Sequence, residues 1–458
     1  MLRRLSSGLG YLAWSVLATE ASAKEAGSRD PLAARVPPRP ARARRVIFLW
    51  QGGGPPQMDT FDYKPQLNVH HGKPAVEFAS VLGESYRGSK NKIIGTPWKF
   101  QQYGSCGKWI SELFPHVAQH ADDICFIHSM QSDFNDHPQA SLQMHTGHGV
   151  LQRPSLGAWS VYGLGTVNRS LPGFITLGLA AKQHAQTAFM PAIFGATDIQ
   201  FNGSPARPAL RYLHNPQLSR AQQRRQLDFI QELNGDLLER SQRDAKVDDV
   251  IRSYELAFRV EEVMPGLLDL SKEPASIQKM YGIGERDLAA QRTPEKCLLA
   301  RRLIEAGVRF VEVELAANDA HFNLKREFGQ AAFRNDRPVG ALLTDLKQRG
   351  LLDDTLVICG GEFGRTPHCQ AAGMDGRDHN NSAFTLWLAG GGVRRGLSYG
   401  STDEFGKNVR EKPVHVHDLH ATILHLLGFD HEQLTYRYSG SDYRLTDVHG
   451  KVVHDIIA

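Results

Sequence analysis

Acids and histidines follow what read as buried strands. In "TLVICGGEFGRTP", Thr355–Pro367, an apolar run ends in Gly-Gly and then Glu362, with Arg365 just beyond. "GRDHNN" comes next and sets Asp378 beside His379. Upstream, "AANDAHFN" follows another apolar run and supplies Asn318, Asp319 and His321. The first apolar run, "RVIFLW", is followed by Asp59 and Asp62. Four strand exits thus deliver carboxylates, and two of them add imidazoles. Carboxylates converging on one crevice repel, so they are protonated, or diverge, or share a cation. Mixed Asp, Glu and His ligands suit zinc or manganese, and magnesium or calcium where oxygen dominates. Loop acids also make turns and helix caps, which would account for any one of these residues alone. The set together favours a metal site.

The elements that must position these residues alternate. "KCLLARRLIEAGVRFVEVEL" reads as a helix, a Gly stop and a strand, Arg309 to Leu315. "VGALLTDLKQRGLLDDTLVICGG" repeats the unit, "AFTLWLAGGG" is a further strand, and "HDLHATILHLLG" a further helix. Helices alternating with apolar strands predict an α/β fold, a mostly parallel central sheet with helices on both faces. Chemistry in such sheets gathers at the carboxyl ends of strands. "ELFPHVAQHADDICFIHSM" predicts a helix from about Ser111, then a strand from Ile124 to His128, and "HPQASLQMHTGHG" a helix opening at His137. Residues 150–215 lack clear periodicity and read as an irregular insertion, the start of a longer one reaching about 295. Residues 217–264 read as a charged helical pair.

Composition is that of an ordinary globular protein: 458 residues, 41% hydrophobic and 22% charged. The net charge of +4 is small, and much of the basic excess lies in "RVPPRPARARR", Arg35–Arg45, so no nucleic-acid surface is read from it. Five cysteines in no CxxC pair argue against a complete disulfide framework. Twenty histidines, many beside Asp or Asn, agree with metal chemistry.

At the amino end, "MLRR", the short apolar "LGYLAWSVLA" and "ASA", Ala21 to Ala23, read as an export signal, residues 1–23. Arg3-Arg4 fits a twin-arginine leader, with an ordinary Sec signal the alternative. Residues 24–44, rich in Pro, Ala and Arg, read as a flexible linker before one α/β domain, residues 45–458. No later segment has the length and apolarity of a transmembrane helix.

In their order, "VIFLWQGGGPPQMDTFD", "NDAH", "GGEFGRTP", "GRDHN" and "VHVHDLHATILHLLG" resemble the DUF1501 family. Those are exported proteins, numerous in Planctomycetes, of the alkaline phosphatase/sulfatase superfamily. The resemblance runs from about Arg45 to the carboxyl end. It implies one or two metals at the strand ends and a periplasmic or envelope location. Asp319 and His321 resemble the paired Asp and His ligands of one metal, and Asp378-His379 stands where a further histidine ligand is expected. Glu362 falls where the superfamily has an Asp-His pair on a second metal, with Phe363 replacing the imidazole. Asp59 resembles the acid near strand one, although the superfamily places it directly after the strand, where this chain has Gln51.

"HPQASLQMHTG" aligns by Thr146-Gly147 with the sulfatase nucleophile segment. His137 then falls on the nucleophilic Cys or Ser, and a histidine cannot be matured to formylglycine. That leaves attack by a metal-activated water, with His137 as base, ligand or nucleophile, or as a helix cap in a site without turnover. Arg365 either pairs with a sulfate or phosphate oxygen or holds Glu362. Two functions are implied: a metal-dependent hydrolase of a small or polysaccharide ester, or an inactive envelope scaffold. For the scaffold, the partner class is a cytochrome-bearing envelope protein.

Overall fold

The run "RVIFLW" forms β1 (Arg45–Trp50), buried at every position after the first. β7 (Thr355–Gly360) and β8 (Phe384–Ala389) are buried throughout. Burial of successive residues means that both sheet faces are covered. The remaining strands of the central sheet are β2 (Ile124–Gln131), β3 (Phe174–Leu177), β4 (Ala196–Asn202), β5 (Arg207–Leu210), β6 (Phe310–Glu314), β9 (Ser398–Tyr399) and β10 (Val414–His415). Their order is β9-β2-β8-β7-β1-β6-β3-β4-β5, with β10 also on β2. The sheet is mostly parallel; β8 and β5 run against their neighbours. The computed structural model describes residues 30–83, 91–179, 181–202, 207–210, 217–240, 245–286, 292–317, 319–371 and 373–458. The segment expected to be an export signal, residues 24–29 and Asn318 lie outside them.

The longer helices are α1 (His137–Thr146), α2 (Leu156–Leu164), α3 (Arg220–Arg240), α4 (Ala245–Leu268), α5 (Thr293–Glu305), α6 (Leu324–Gln348) and α7 (Val416–Leu426), and a short helix, Gln57–Thr60, carries Asp59. On one face α5 packs on β6 and α6 on α5. On the other, α1 and α7 are joined by a hydrogen bond of 2.8 Å from His420 Nε2 to the Met144 carbonyl. One apolar cluster runs through sheet and helices. Among the described residues no helix is long and apolar enough to cross a membrane.

Register decides where the chemistry falls. Trp50 is level with Gly360 of β7 and with Glu314 of β6. The segments after all three strands therefore leave the sheet side by side. β8 runs the other way, so the loop before it reaches the same edge.

Three sequence expectations need correction. Residues 150–215 are not an irregular insertion, because they supply α2 and the strands β3, β4 and β5. β3 and β5 have only four residues each, and the segments between the strands are rich in Gly and Pro, which hides their period. The helix expected from about Ser111 is confined to a 3-10 stretch, Val117–Asp123, because Ser111 ends a hairpin strand, Lys108–Ser111. Residues 30–44 are no free linker: Leu32 and Ala43 are buried, and the amides of Arg42 and Ala43 bond to the Leu426 carbonyl.

α1 carries His137 at its first turn, and its ends are well specified. Asp136 caps the start by accepting from the Gln139 amide. Gly147 ends it in a left-handed conformation, φ 73°. A Cβ there would lie 1.9 Å from the Leu445 carbonyl oxygen. Gly147→Ala should lower stability by more than about 1 kcal/mol, since it adds backbone strain and a collision. Denaturant titration checks this; an unchanged midpoint would show that α1 ends differently.

Candidate metal centre

Each exit loop is held by its own device. Asn335 of α6 is buried and clamps Ala316 through both its donor and its acceptor, at 2.8 and 2.9 Å. That fixes the loop carrying Asp319 and His321. After β1, the Gly-rich turn lets backbone approach closely. Gly54 has φ +65°, and a Cβ on it would lie 2.7 Å from the Phe363 ring. Gly53 donates its amide to Glu362 Oε1 at 2.9 Å. Deeper in the sheet, His145 of α1 meets Glu312 of β6 at 2.7 Å, both side chains buried. This contact pins α1 and aims His137 at the strand ends.

At those ends, three imidazoles converge on one carboxylate. Asp319 Oδ1 lies 3.0 Å from His321 Nε2 and 3.3 Å from His379 Nε2. Asp319 Oδ2 lies 3.2 Å from His137 Nε2. The two nitrogens His321 Nε2 and His379 Nε2 are 3.0 Å apart. His137 turns its other nitrogen, Nδ1, to Glu362 Oε1 at 2.6 Å. His379 Nδ1 donates to the Asn135 carbonyl at 2.9 Å. Asp319 is 45% exposed and Glu362 only 1%, so the cluster opens to solvent at Asp319 and is closed behind Glu362.

This donor set fits a divalent cation. His137, Asp319 and His379 each offer a ligand atom within 4.8 Å of the others. The approach of His137 Nε2 to Asp319 is close but not aligned as a hydrogen bond, which leaves that buried nitrogen without one. A carboxylate or carbonyl behind the ring is also how metal-bound histidines are oriented, and Glu362 stands behind His137 and the Asn135 carbonyl behind His379. Burial alone would lower the His137 pKa, but the carboxylates of Asp319 and Glu362 outweigh it and raise it to about 9. Burial would raise the Asp319 pKa, yet His137, His379 and Arg365 hold its carboxyl well below the usual range. Burial and the nearby Arg365 charge lower the His321 pKa, keeping that ring neutral near pH 7.

The structure sorts the sequence candidates. It brings together His137, Asp319, His321, His379 and Glu362, with Glu362 braced against His137. Arg365 is fully buried. Its N–H groups go to the carbonyls of Gly53, Gly54 and Arg377, to Asp319, and to His321 Nε2 at 3.5 Å. It therefore positions Asp319 and has no free donor for a substrate oxygen, which corrects the expectation of an anion contact. Asp59 faces Arg377 with both oxygens, at 2.6 and 3.0 Å, and both residues are fully buried. That ion pair removes Asp59 from the ligand set. The Asp378 carboxylate accepts from the His379 amide at 2.8 Å and so shapes the ligand loop. Sequence reasoning missed Gly53, Asn135, Arg377 and Asn335. The Gly-Gly-Gly run was the available signal for the first; the others act through backbone groups or ion pairs that no motif announces.

The family model for DUF1501, described as a protein of unknown function, matches residues 43–457. The chain is a DUF1501 protein. No curated protein matches it. Solved structures similar to this DUF1501 chain include the PsFucS1 sulfatase from Pseudoalteromonas sp., 13% identical over 85% of this chain and 69% of that one, TM-score 0.36. A protein in the alkaline phosphatase superfamily from Vibrio parahaemolyticus is 10% identical over 86% and 69%, TM-score 0.34. A mutant of the alkaline phosphatase PafA is 9% identical over 93% and 100%, TM-score 0.38.

Two measurements follow from this geometry. Asp59→Ala leaves Arg377 buried and unpaired and should cost about 3–5 kcal/mol; a loss below 1 kcal/mol would contradict the buried pair. In metal-free protein, the raised His137 pKa stabilises the fold fully below the ordinary histidine value near 6.5. That contribution disappears as pH rises toward about 9. The thermal midpoint should fall over this window, and His137→Ala should flatten the fall.

Proposed function

We propose that this chain is an exported, metal-dependent hydrolase acting on a sulfate or phosphate ester. The observation that carries the reading is the convergence of three imidazole Nε2 atoms on Asp319 at the strand ends. His137, Asp319 and His379 would hold the ion, and their donor types favour zinc or manganese. The chemistry such an ion would supply there is positive charge beside an ester oxygen and a lowered pKa for a nearby water.

The chain's own residues set the rest. Glu362 fixes the ring orientation of His137, and the Asn135 carbonyl fixes that of His379. Arg365 fixes Asp319. His321, neutral near pH 7 and beside the cluster, accepts a proton from the attacking water. With His137 serving as a ligand, no side-chain nucleophile is required, which resolves the mismatch with the sulfatase segment. The ester approaches from the Asp319 side, the exposed side of the cluster.

The second reading is a catalytically inactive envelope binding protein that keeps a structural metal. One observation favours it: among the described residues, no Ser, Thr or Cys side chain contacts the His137–Asp319–His379 cluster. Screening metal-loaded protein against aryl sulfates and phosphate mono- and diesters separates the two. The hydrolase reading expects turnover that His321→Ala cuts by about two to four orders of magnitude, with metal content retained. Absence of turnover on every ester class would leave the binding reading.

A further inference from the structure

Immediately after His321 and Asn323, α6 begins, and its outer face is cationic. A cleft of about 550 Å³ lies there, lined by Arg286, Lys325, Arg326, Gln330, Phe333 and Arg334, with no acidic side chain in its lining among the described residues. At 3.6 residues per turn Phe333 falls between Lys325 and Arg334 around the helix and close to Arg326, so the cations flank the ring rather than stack in one column. From Lys325 to Arg334 this cationic row spans about 14 Å along the helix axis at 1.5 Å per residue and wraps about half a turn around it. Among the described residues Lys325, Arg334 and Arg286 make no ion pair; Arg326 bonds to Glu327, with its Nε 2.8 Å from the carboxylate. Phe333, next to Arg334, is 58% exposed, and Phe322, just before the helix, is 54% exposed.

Holding several unpaired like charges in line costs self-repulsion unless something anionic lies along them. A small ester carries its charge at the reacting group and has no use for a row leading away from the centre. A chain with repeated anionic groups does. The exposed phenyl ring between the cations offers a flat apolar surface for a sugar face. The overall charge of +4 and the confinement of the row to one short helical face do not match an extended nucleic-acid footprint.

We propose that this face of α6 is a subsite for a sulfated polysaccharide whose reacting ester sits at the Asp319 cluster. This rests on the ester-hydrolase reading and names its substrate class as polymeric and polyanionic. The row holds the neighbouring anionic sugars, while the cluster handles one ester.

The test is direct binding of fluorescently labelled dextran sulfate to the full chain without added metal, read by anisotropy. The triple variant Lys325→Ala, Arg326→Ala and Arg334→Ala should bind at least ten-fold more weakly. Rising salt should weaken the native protein's binding more than the variant's. Phe333→Ala should weaken dextran sulfate binding several-fold. Charge reversal, Lys325→Glu with Arg334→Glu, should abolish it while the thermal midpoint holds. Metal-loaded triple variant should keep native turnover on an aryl ester. Equal binding by the native protein and the triple variant would overturn the proposal, as would equal binding of uncharged dextran. Tighter binding of single-stranded DNA of matched charge would assign the face to nucleic acid instead. Binding is read without hydrolysis, so an inactive protein that still needs the row for dextran sulfate would defeat the hydrolase reading and leave the surface standing.

Discussion

A carboxylate buried at the tip of a strand must be compensated, and Glu362 is such a carboxylate. It is 1% exposed, and burying an unpartnered charge costs several kcal/mol. Its Oε1 takes the Gly53 amide and His137 Nδ1, while Oε2 is buried without a partner. Both compensating groups come from elsewhere in the chain: one from the turn after β1, the other from the first turn of α1. The need to satisfy Glu362 therefore draws three segments together. The ring that satisfies it is left with its second nitrogen pointing at Asp319.

Two buried guanidiniums complete the scaffold. Arg377 holds the short helix carrying Asp59. Arg365 ties the glycine turn and Asp319 to its own loop, and also bonds the Arg377 carbonyl. Buried ion pairs add little net stability, but removing one partner is expensive. Their contribution here is placement. Exit loops from three parallel strands and the loop before β8 are held at fixed distances. The side chains that could hold a cation are thus positioned by the fold itself.

Much of this was legible in the sequence. The apolar runs at Arg45, Thr355 and Phe384 are buried on both faces, and their continuous apolarity says so. Gly stops after α5 and α6 marked the helix–strand units. The strand-end acids and histidines were visible because parallel sheets deliver their exit loops to one edge. Roles were harder to read than places. Glu362, expected as a ligand, braces His137, and His137, expected as base, ligand, nucleophile or cap, turns its Nε2 to Asp319. Asp59 looked like a ligand because it is an acid after β1, yet its partner Arg377 lies far along the chain, and such pairing depends on the fold. Likewise Arg365, beside Glu362 in sequence, reaches Asp319 instead. Residues 150–215 hid three strands because two of them are short and the segments between are rich in Gly and Pro.

The central claim is that Glu362 orients His137 as one of the atoms that hold a divalent cation with Asp319 and His379. The most direct test is calorimetric titration of zinc into metal-free native protein and into Glu362→Gln, at matched pH in buffers of different ionisation enthalpy. The account predicts one zinc per chain for the native protein, with proton release because the imidazolium at position 137 must give up its proton. It predicts an affinity about 10–100-fold lower for Glu362→Gln, the usual scale for losing a carboxylate behind a metal-bound histidine. Zinc affinity unchanged by Glu362→Gln, or binding without proton release, would contradict it.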